Sequence, residues 1–431
     1  MSRTRTASLT AIFAVVFIDL LGFGIVLPLL ARYGKYFEAE AWLGALLASF
    51  SLMQFLFAPA WGRLSDRIGR RPVLLVGLAG STCSYALFGV ATGLSKDATL
   101  LGLSPLAWLF ISRIGAGIAG ATISTAHAYI ADVTEESERA KGMALIGAAF
   151  GIGFTFGPML GAAFVSDDPA SPPSPYPGYI AAALSGLAFL GAAFVLQEPE
   201  RRHSVADARP RGRWSLLAEP VRLALFGEIF LTTAAFAVFE STLALLSASL
   251  GYSDRDNFYL FAFVGVMLSV AQGFLVRRLA PRLQERRMVP LGLVLLAVGL
   301  AGLALVGAVD NATKFALYAT LGLCVVGVSF VSPSLQSLLS RTALDNQQGV
   351  VLGLGQSAAA LARIAGPLIG IWLFQRSIPL AYGAAAGVIA ISLVAMLPVL
   401  AAVGRHARPE RATSVIPDAE SDAEPDRVPA G

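Results

Sequence analysis

Gly62-Arg-Leu-Ser-Asp-Arg-Ile-Gly-Arg-Arg-Pro72 is a short polar loop set between two long apolar runs. It holds four arginines, one aspartate, two glycines and a proline, whereas the chain as a whole is 14% charged. Such a loop cannot lie in hydrocarbon, and its arginine density predicts the cytoplasmic side of a membrane. Gly62 and Gly69 permit a tight turn between helices, and Pro72 suits the first turn of the next one.

The flanking runs belong to a chain of 431 residues that is 56% hydrophobic, with a mean hydropathy of +0.69. A soluble protein carries about 25% charged residues, so a water-facing surface is excluded. Spans need about 20 mostly apolar residues each. Twelve are predicted, at 9–30, 41–61, 72–93, 105–131, 142–165, 177–197, 222–248, 257–276, 288–308, 315–339, 349–374 and 379–403. The loops between them are mostly short, so neighbouring helices should be antiparallel. With the N-terminus inside, 24 of the 32 Lys and Arg fall on the cytoplasmic side and 6 on the other. That fourfold bias predicts the orientation, and the even count places both termini in the cytoplasm. The basic pI follows from this topology. The basic residues form no tract with interleaved aromatics, so no nucleic-acid partner is expected.

The first run is too long for a cleaved signal peptide and carries Asp19 at its centre. Cys83 and Cys324 fall in different spans, form no metal spacing or disulfide framework, and are expected as buried thiols. No phosphate loop, metal-spaced histidine pair or Ser-His-Asp order occurs. The glycine clusters lie in apolar helices without a preceding strand, so they are not dinucleotide fingerprints. No enzyme, cofactor or metal is expected.

The chain reads as a duplicated six-helix unit. Arg278-Leu-Ala-Pro-Arg282-Leu-Gln-Glu-Arg286 lies 215 positions after Arg63-Leu-Ser-Asp-Arg67-Ile-Gly-Arg-Arg71, with Pro281 in place of Asp66 and Gln284 in place of Gly69. Gly157-Pro158-Met-Leu-Gly161 is echoed by Gly366-Pro367-Leu-Ile-Gly370. The expected organisation is an N-terminal bundle at 1–197, a cytoplasmic linker at 198–221, a C-terminal bundle at 222–403 and a disordered, acidic, proline-containing tail at 404–431. Transporters built from repeats bind substrate near the midplane between them.

Asp19 sits near the middle of the first span, where a charged group costs roughly 2.5–3.5 kcal/mol on insertion scales. It must face a cavity, find a partner or be protonated. The functional expectation is a proton-coupling carboxylate; the alternative is a polar partner that fixes helix packing. Glu240 is the second such acid, in the seventh span, and Glu228 lies nearer the cytoplasmic end, within reach of water. Two in-span cations complete the set: Arg113 in the fourth span and Arg363 in the eleventh. A balanced arrangement pairs Asp19 with Arg113 and Glu240 with Arg363. Alternatively, Arg363 binds backbone carbonyls beside the Gly366-Pro367 break. His127, Gln54, Gln272, Gln336 and Gln356 are further polar groups inside spans, which either line a cavity or bond across helices. Gln54 and Gln356, with Phe236 and Phe239 beside Glu240, are assigned to a substrate cavity.

The spacing of the 62–72 loop closely resembles the loop between the second and third helices of the major facilitator superfamily, and the resemblance extends to about residue 400. It implies an all-α integral membrane protein of twelve helices in two pseudo-symmetric bundles. Gly62, Asp66, Arg67, Gly69, Arg70 and Arg71 are expected to form a cytoplasmic latch loop that joins the two halves through charge contacts. The run Ile130-Ala-Asp132-Val-Thr-Glu135-Glu136 resembles the family's fourth-to-fifth loop and places Asp132 against one of those arginines. Arg113-Ile-Gly-Ala-Gly resembles the fourth-helix motif implicated in proton transfer. Gly153-Phe-Thr-Phe-Gly157-Pro158-Met-Leu-Gly161 resembles the fifth-helix signature of drug:proton antiporters, although Ala162 stands where a further glycine is usual.

Residues 12–165 look most like tetracycline-type efflux antiporters. Ser84 stands where those pumps resemble one another in carrying an aspartate, and the ninth span holds no acid, which argues against tetracycline as the substrate. The resemblance implies a proton-coupled exporter of amphipathic small molecules in a cell inner membrane, working as a monomer. Its partners would be a small molecule, protons and the bilayer. Two alternatives keep the fold: a proton-coupled symporter for a nutrient, and a non-transporting receptor or lipid-handling protein, a class kept open by Pro281.

Overall fold

The computed structural model describes residues 3–26, 33, 36–37, 42–162, 164, 173–199, 219–252, 254–309, 313–343 and 347–406. Among these the regular structure is helical, apart from an isolated bridge between Leu100 and Leu103. The N-terminal part holds α1 (Arg3–Val26), α2 (Leu43–Ile68), α3 (Arg70–Gly93), α4 (Pro105–Gly120), α5 (Ile123–Val133), α6 (Arg139–Ala162) and α7 (Tyr176–Val195). The C-terminal part holds α8 (Pro220–Ser249), α9 (Asp254–Val270), α10 (Arg277–Val306), α11 (Lys314–Arg341), α12 (Gln348–Arg376) and α13 (Ile378–His406). A 3-10 turn at Glu136–Glu138 precedes α6, and a π-helical turn at Ala271–Val276 joins α9 to α10. Residues 200–218 of the expected linker and 407–431 of the expected tail lie outside the described residues.

Helices dominate because a segment in hydrocarbon must satisfy its own backbone groups. Their ends carry ordinary capping chemistry. The Ser104 hydroxyl accepts from the Ala107 amide at 3.3 Å ahead of Pro105, and the Thr313 hydroxyl accepts from Ala316 at 3.2 Å. Many large apolar side chains point outward: Leu187, Leu190 and Phe194 on α7, Val294, Val298 and Leu305 on α10, Ile391 and Val394 on α13. Polar side chains collect inside. An apolar exterior of this extent marks a surface made for lipid. It also corrects one expectation: Cys324 is buried but Cys83 is exposed, because a span has a lipid-facing side as well as a protein-facing one.

Eleven stretches among the described residues are long and apolar enough to cross a bilayer. One of them, Tyr259–Val306, has 48 residues. As a straight helix it would measure about 72 Å, more than twice the ~30 Å hydrocarbon thickness. It is not straight. Gln284 breaks it, with φ 54° and ψ 165°. Gly69, its counterpart 215 positions earlier, has φ 110° and ψ 160° and separates α2 from α3. The two parts of the chain therefore turn through the same unusual backbone region at matching positions, although only the first uses glycine.

Within the N-terminal part α1 packs on α6 and α7, and α3 on α4 and α7; within the C-terminal part α10 packs on α11 and α13, and α8 on α12 and α13. The two parts meet along two seams, α2 against α12 and α6 against α9. Small residues make the first seam close. A Cβ on Gly353 would lie 2.5 Å from the Ala58 carbonyl oxygen, and Gly62 and Gly349 touch backbone to backbone.

Gln284 is strained where glycine would not be, at a cost of order 1–3 kcal/mol. Gln284→Gly is expected to raise stability by about 1 kcal/mol after the entropy gained by the unfolded chain. Gly69→Ala is expected to lower it by more, since its new Cβ would also meet the Glu198 carboxylate at 2.8 Å. Thermal unfolding of the purified variants in detergent measures both.

Candidate functional site

The loop that opened the sequence forms the closed end of the molecule. Asp66, in the last turn of α2, accepts the backbone N–H groups of Gly349 at 2.9 Å and Val350 at 3.0 Å. Those amides belong to the first turn of α12, where a helix has unpaired N–H groups and a partial positive charge. Across the Gly69 turn, Arg70 reaches back. Its Nη1 donates to Asp66 Oδ1 at 2.6 Å and to Ser65 Oγ at 2.7 Å, and its Nε donates to Asp132 Oδ2 at 2.8 Å. The Arg70 and Asp66 side chains are only 6% and 7% exposed, so this pair is shielded from water. Glu198 accepts the Arg70 and Arg71 amides at 2.6 and 2.8 Å and caps α3. The Arg71 guanidinium donates to the Ala193 carbonyl, and Arg67 is exposed. The expected latch thus differs in chemistry. Its charges neutralise one another inside the N-terminal part, and the link to the other part is a carboxylate on a helix N-terminus. The physical reason is that α12 presents amides at this end, and amides need no charged side chain as partner.

The C-terminal part carries an inverted counterpart that the sequence did not reveal. Glu285, 215 positions after Arg70, begins the segment beyond Gln284 and is 4% exposed. It accepts from Arg341 Nη2 at 2.6 Å and Ser337 Oγ at 2.7 Å. Arg341 ends α11 much as Asp132 nears the end of α5. The same Arg341 nitrogen also donates to the Glu136 carbonyl, and Arg139 donates to Ser340 Oγ at 3.3 Å, so both contacts cross between the parts. The available signal was the reversal of charge between Arg70 and Glu285. Pro281, in the place of Asp66, is exposed.

Behind this closed end, between the two parts, lies a cavity of about 810 Å³. Its lining runs from Met143, Gln336 and Gln356 to Gly44, Leu47 and Leu368 at the opposite end, where the last three are exposed. Asp19, Glu240, Arg113, Arg363, Gln54, Phe236, Gln356, His127, Gln272 and Gln336 all line it. Phe239 does not. It is buried in the core behind, its ring centroid 5.3 Å from that of Phe236. Glu228 is also absent from the lining and, at 3% exposure, is withdrawn from water, packed against Thr232 and against Ser392 of α13.

The four intramembrane charges share the cavity, yet the expected pairs are not direct ion pairs among the described residues. Asp19 accepts from Ser185 Oγ at 3.0 Å, and Ser81 stands nearby. The Arg113 guanidinium, 1% exposed, lies 4.6 Å from the Phe50 ring centroid. Tyr85 stands near enough to both Asp19 and Arg113 to feel each charge, a role no sequence pattern announced. Arg363 interacts with Glu240 through space, while its Nη2 donates to Gln54 Oε1 at 3.1 Å across the α2–α12 seam. The partners of these charges include hydroxyls, an amide and a ring.

The glycines of α6 explain its position. Gly153 and Gly157 face α1, and a Cβ on Gly157 would strike the Gly24 backbone. Gly147 and Gly151 face the other part, against Gln272, Ser269 and Gly265. Two glycine pairs on two sides let one helix lie close to the helix bearing Asp19 and to its partner across the seam. Of Pro158 and Gly161 only the helical backbone is described.

Arg70→Ala strips the shared cation from Asp66 and Asp132. It is expected to cost about 3–5 kcal/mol, as breaking a buried pair does. The Arg70→Ala/Asp132→Asn double variant should lose less than the two single losses added together. Thermal unfolding of the four proteins of that cycle measures the coupling.

The sequence model described as Major Facilitator Superfamily matches residues 12–367. The class E tetracycline resistance protein of Escherichia coli is 31% identical over 391 residues, covering 87% of this chain and 89% of that protein. Multidrug resistance protein 2 of Bacillus subtilis (strain 168) is 28% identical over 375 residues, covering 84% and 88%. The crystal structure of the human organic anion transporter MFSD10 (TETRAN) superposes with a TM-score of 0.74 at 25% identity, covering 93% of this chain and all of that one. This multi-pass helical chain, with its cavity between two packed halves, belongs to the Major Facilitator Superfamily, a family of transporters of small molecules and not of enzymes.

Proposed function

We propose that this protein is a proton-coupled antiporter that exports amphipathic small molecules by alternating access. Tyr259–Val306 is read as two crossings that turn at Gln284, which makes twelve spans and puts both termini in the cytoplasm of a cell whose inner membrane holds the protein as a monomer. Residues 1–197 and 222–403 are the two bundles that rock about the α2–α12 and α6–α9 seams.

The observation that carries this reading is one cavity that holds Asp19, Glu240, Arg113 and Arg363 while its far end is shut by Asp66 on α12. Protons enter, and substrate leaves, through the exposed end of that cavity. Protonation of Asp19 or Glu240 removes the negative charge that faces a guanidinium across hydroxyls or empty space. The electrostatic reason for the open arrangement then disappears, Asp66 releases the α12 amides, and the bundles rock. On the cytoplasmic side the proton leaves and the substrate binds. Each proton contributes about 2.3 kcal/mol per 100 mV of membrane potential and about 1.4 kcal/mol per unit of pH difference. The direction of export is supported by the glycine faces of α6 and by the names of the resistance proteins reported above.

A second reading has its own observation. Two guanidinium groups, Arg113 and Arg363, line the cavity, and they suit an organic anion, the substrate class in the name of the human neighbour. A nutrient symporter is separated from both by the sign of proton flux.

In proteoliposomes, Asp19→Asn and Glu240→Gln are each expected to keep substrate exchange at equal pH and to lose accumulation driven by a pH gradient. Ethidium, tetracycline and a fluorescent organic anion are the probes. A variant that still accumulates its probe against a gradient removes that carboxylate from the mechanism. Proton movement in the symport direction on adding any probe to everted vesicles overturns the export reading.

A further inference from the structure

Glu228 is a buried carboxyl that the cycle above does not use. It lies on α8, 12 residues before Glu240, which is about 18 Å along the helix. Among the described residues its side chain has two hydrogen-bonding partners, both neutral. Thr232 Oγ1 lies 3.0 Å from Oε1, and Ser392 Oγ, from α13, lies 3.2 Å from the same oxygen. Ser392 has a second acceptor, the Ile389 carbonyl oxygen of its own helix, at the shorter distance of 2.9 Å.

The hydrogens can be counted. A serine hydroxyl carries one. If it lies on Ile389, the contact between Ser392 Oγ and Glu228 Oε1 has two oxygens and no hydrogen unless the carboxyl supplies it. A carboxylic acid satisfies the set: Oε1–H donates to Ser392 and accepts from Thr232. A carboxylate would have only these hydroxyls and no cation as partners, in a place where an unpaired charge costs several kcal/mol.

No charge stands in to compensate. On α8 itself, Arg222 donates to the Thr342 carbonyl and pairs with Glu219, and Glu240 lies in the cavity. From Ile378 to Val403, α13 contains no ionisable acid or base except Tyr382, whose hydroxyl meets Thr242. On α11 the charges are Lys314 at one end, on Asp256, and Arg341 at the other, on Glu285. On α12 they are Arg363 in the cavity and Arg376 over Trp372. None of them bonds to Glu228.

Thr232 and Ile229 line the cavity, so the residue whose hydroxyl touches Glu228 also borders that space. We propose that Glu228 is a third proton-binding carboxyl, occupied in this conformation and reached from the cavity through the Thr232 hydroxyl. Its part in turnover rests on the proton-coupled reading above; its protonation does not. When the bundles rock, a change in the α8–α13 packing would part Ser392 from Oε1 and free the proton to pass by way of Thr232.

The test uses the purified full chain in lipid nanodiscs, without substrate. Infrared difference spectra across pH are recorded for the native protein, Glu228→Gln and Thr232→Val/Ser392→Ala. The native protein is expected to show a protonated-carboxyl band that fades by about tenfold in acid-to-base ratio per pH unit through its titration. Glu228→Gln should lack that band and bind one proton fewer per chain on acidification, read with a pH indicator. The hydroxyl variant should keep the band and move it, because the carboxyl stretch responds to its hydrogen bonds. A Glu228→Gln spectrum identical to the native one overturns the proposal, and so does a band that the hydroxyl variant leaves unmoved. Either result leaves the roles of Asp19 and Glu240 to their own transport assay.

Discussion

One carboxylate on two backbone amides ties the halves of this molecule together. Asp66 accepts from Gly349 and Val350 at the start of α12 while Arg70 holds it from its own side. The arrangement suits a joint that opens in the proposed cycle. A helix N-terminus offers amides already aligned and a partial charge fixed by the backbone. When the link breaks, Asp66 keeps its guanidinium and the α12 amides can turn to water. Neither partner is stranded as a full charge, which is the outcome that makes breaking a buried ion pair so costly. Arg341 works in a similar way, held by Glu285 and donating outward to the Glu136 carbonyl. At both joints a full charge is neutralised at home and reaches across to a backbone group.

The same economy of charge shapes the cavity. Two acids and two guanidinium groups line one space, and three of the four have neutral groups beside them: Ser185 and Ser81 at Asp19, Phe50 at Arg113, Gln54 at Arg363. Charges collapsed into tight pairs would be inert. Charges held apart on hydroxyls and rings remain able to respond to a proton or a ligand, and that is the property the proposed cycle uses. The glycines of α6 supply the mechanical complement, since they bring one helix into contact with both α1 and α9.

At positions 215 residues apart the two parts share backbone geometry but not chemistry. Gln284 adopts the backbone region of Gly69 without being glycine, and Glu285 and Arg341 rebuild with reversed signs the pair made by Arg70 and Asp132. A fold constrained by helix packing tolerates a reversal of charge provided both members reverse. A letter-by-letter comparison of the repeats registers that as decay, and for that reason the second copy of the loop looked empty in the sequence.

What the sequence determined by itself was the helical membrane class, the polar loop, the residues that gather at it and the intramembrane charges. Hydrocarbon forces those features into the composition: spans must be apolar for their whole length, and a charge within one stands out against its surroundings. Asp19, Arg113, Glu240 and Arg363 were visible for this reason, as was the nearness of Asp132 to the arginines. Only the tertiary structure decided partners. It set Tyr85 near both Asp19 and Arg113, turned Phe239 into the core, gave Asp66 the α12 amides as its partners in the other half, and placed Glu228 against Thr232 and Ser392. Partner choice depends on how helices are rotated and how deep each residue sits. Among helices apolar around their whole circumference, the sequence carries almost no record of rotation.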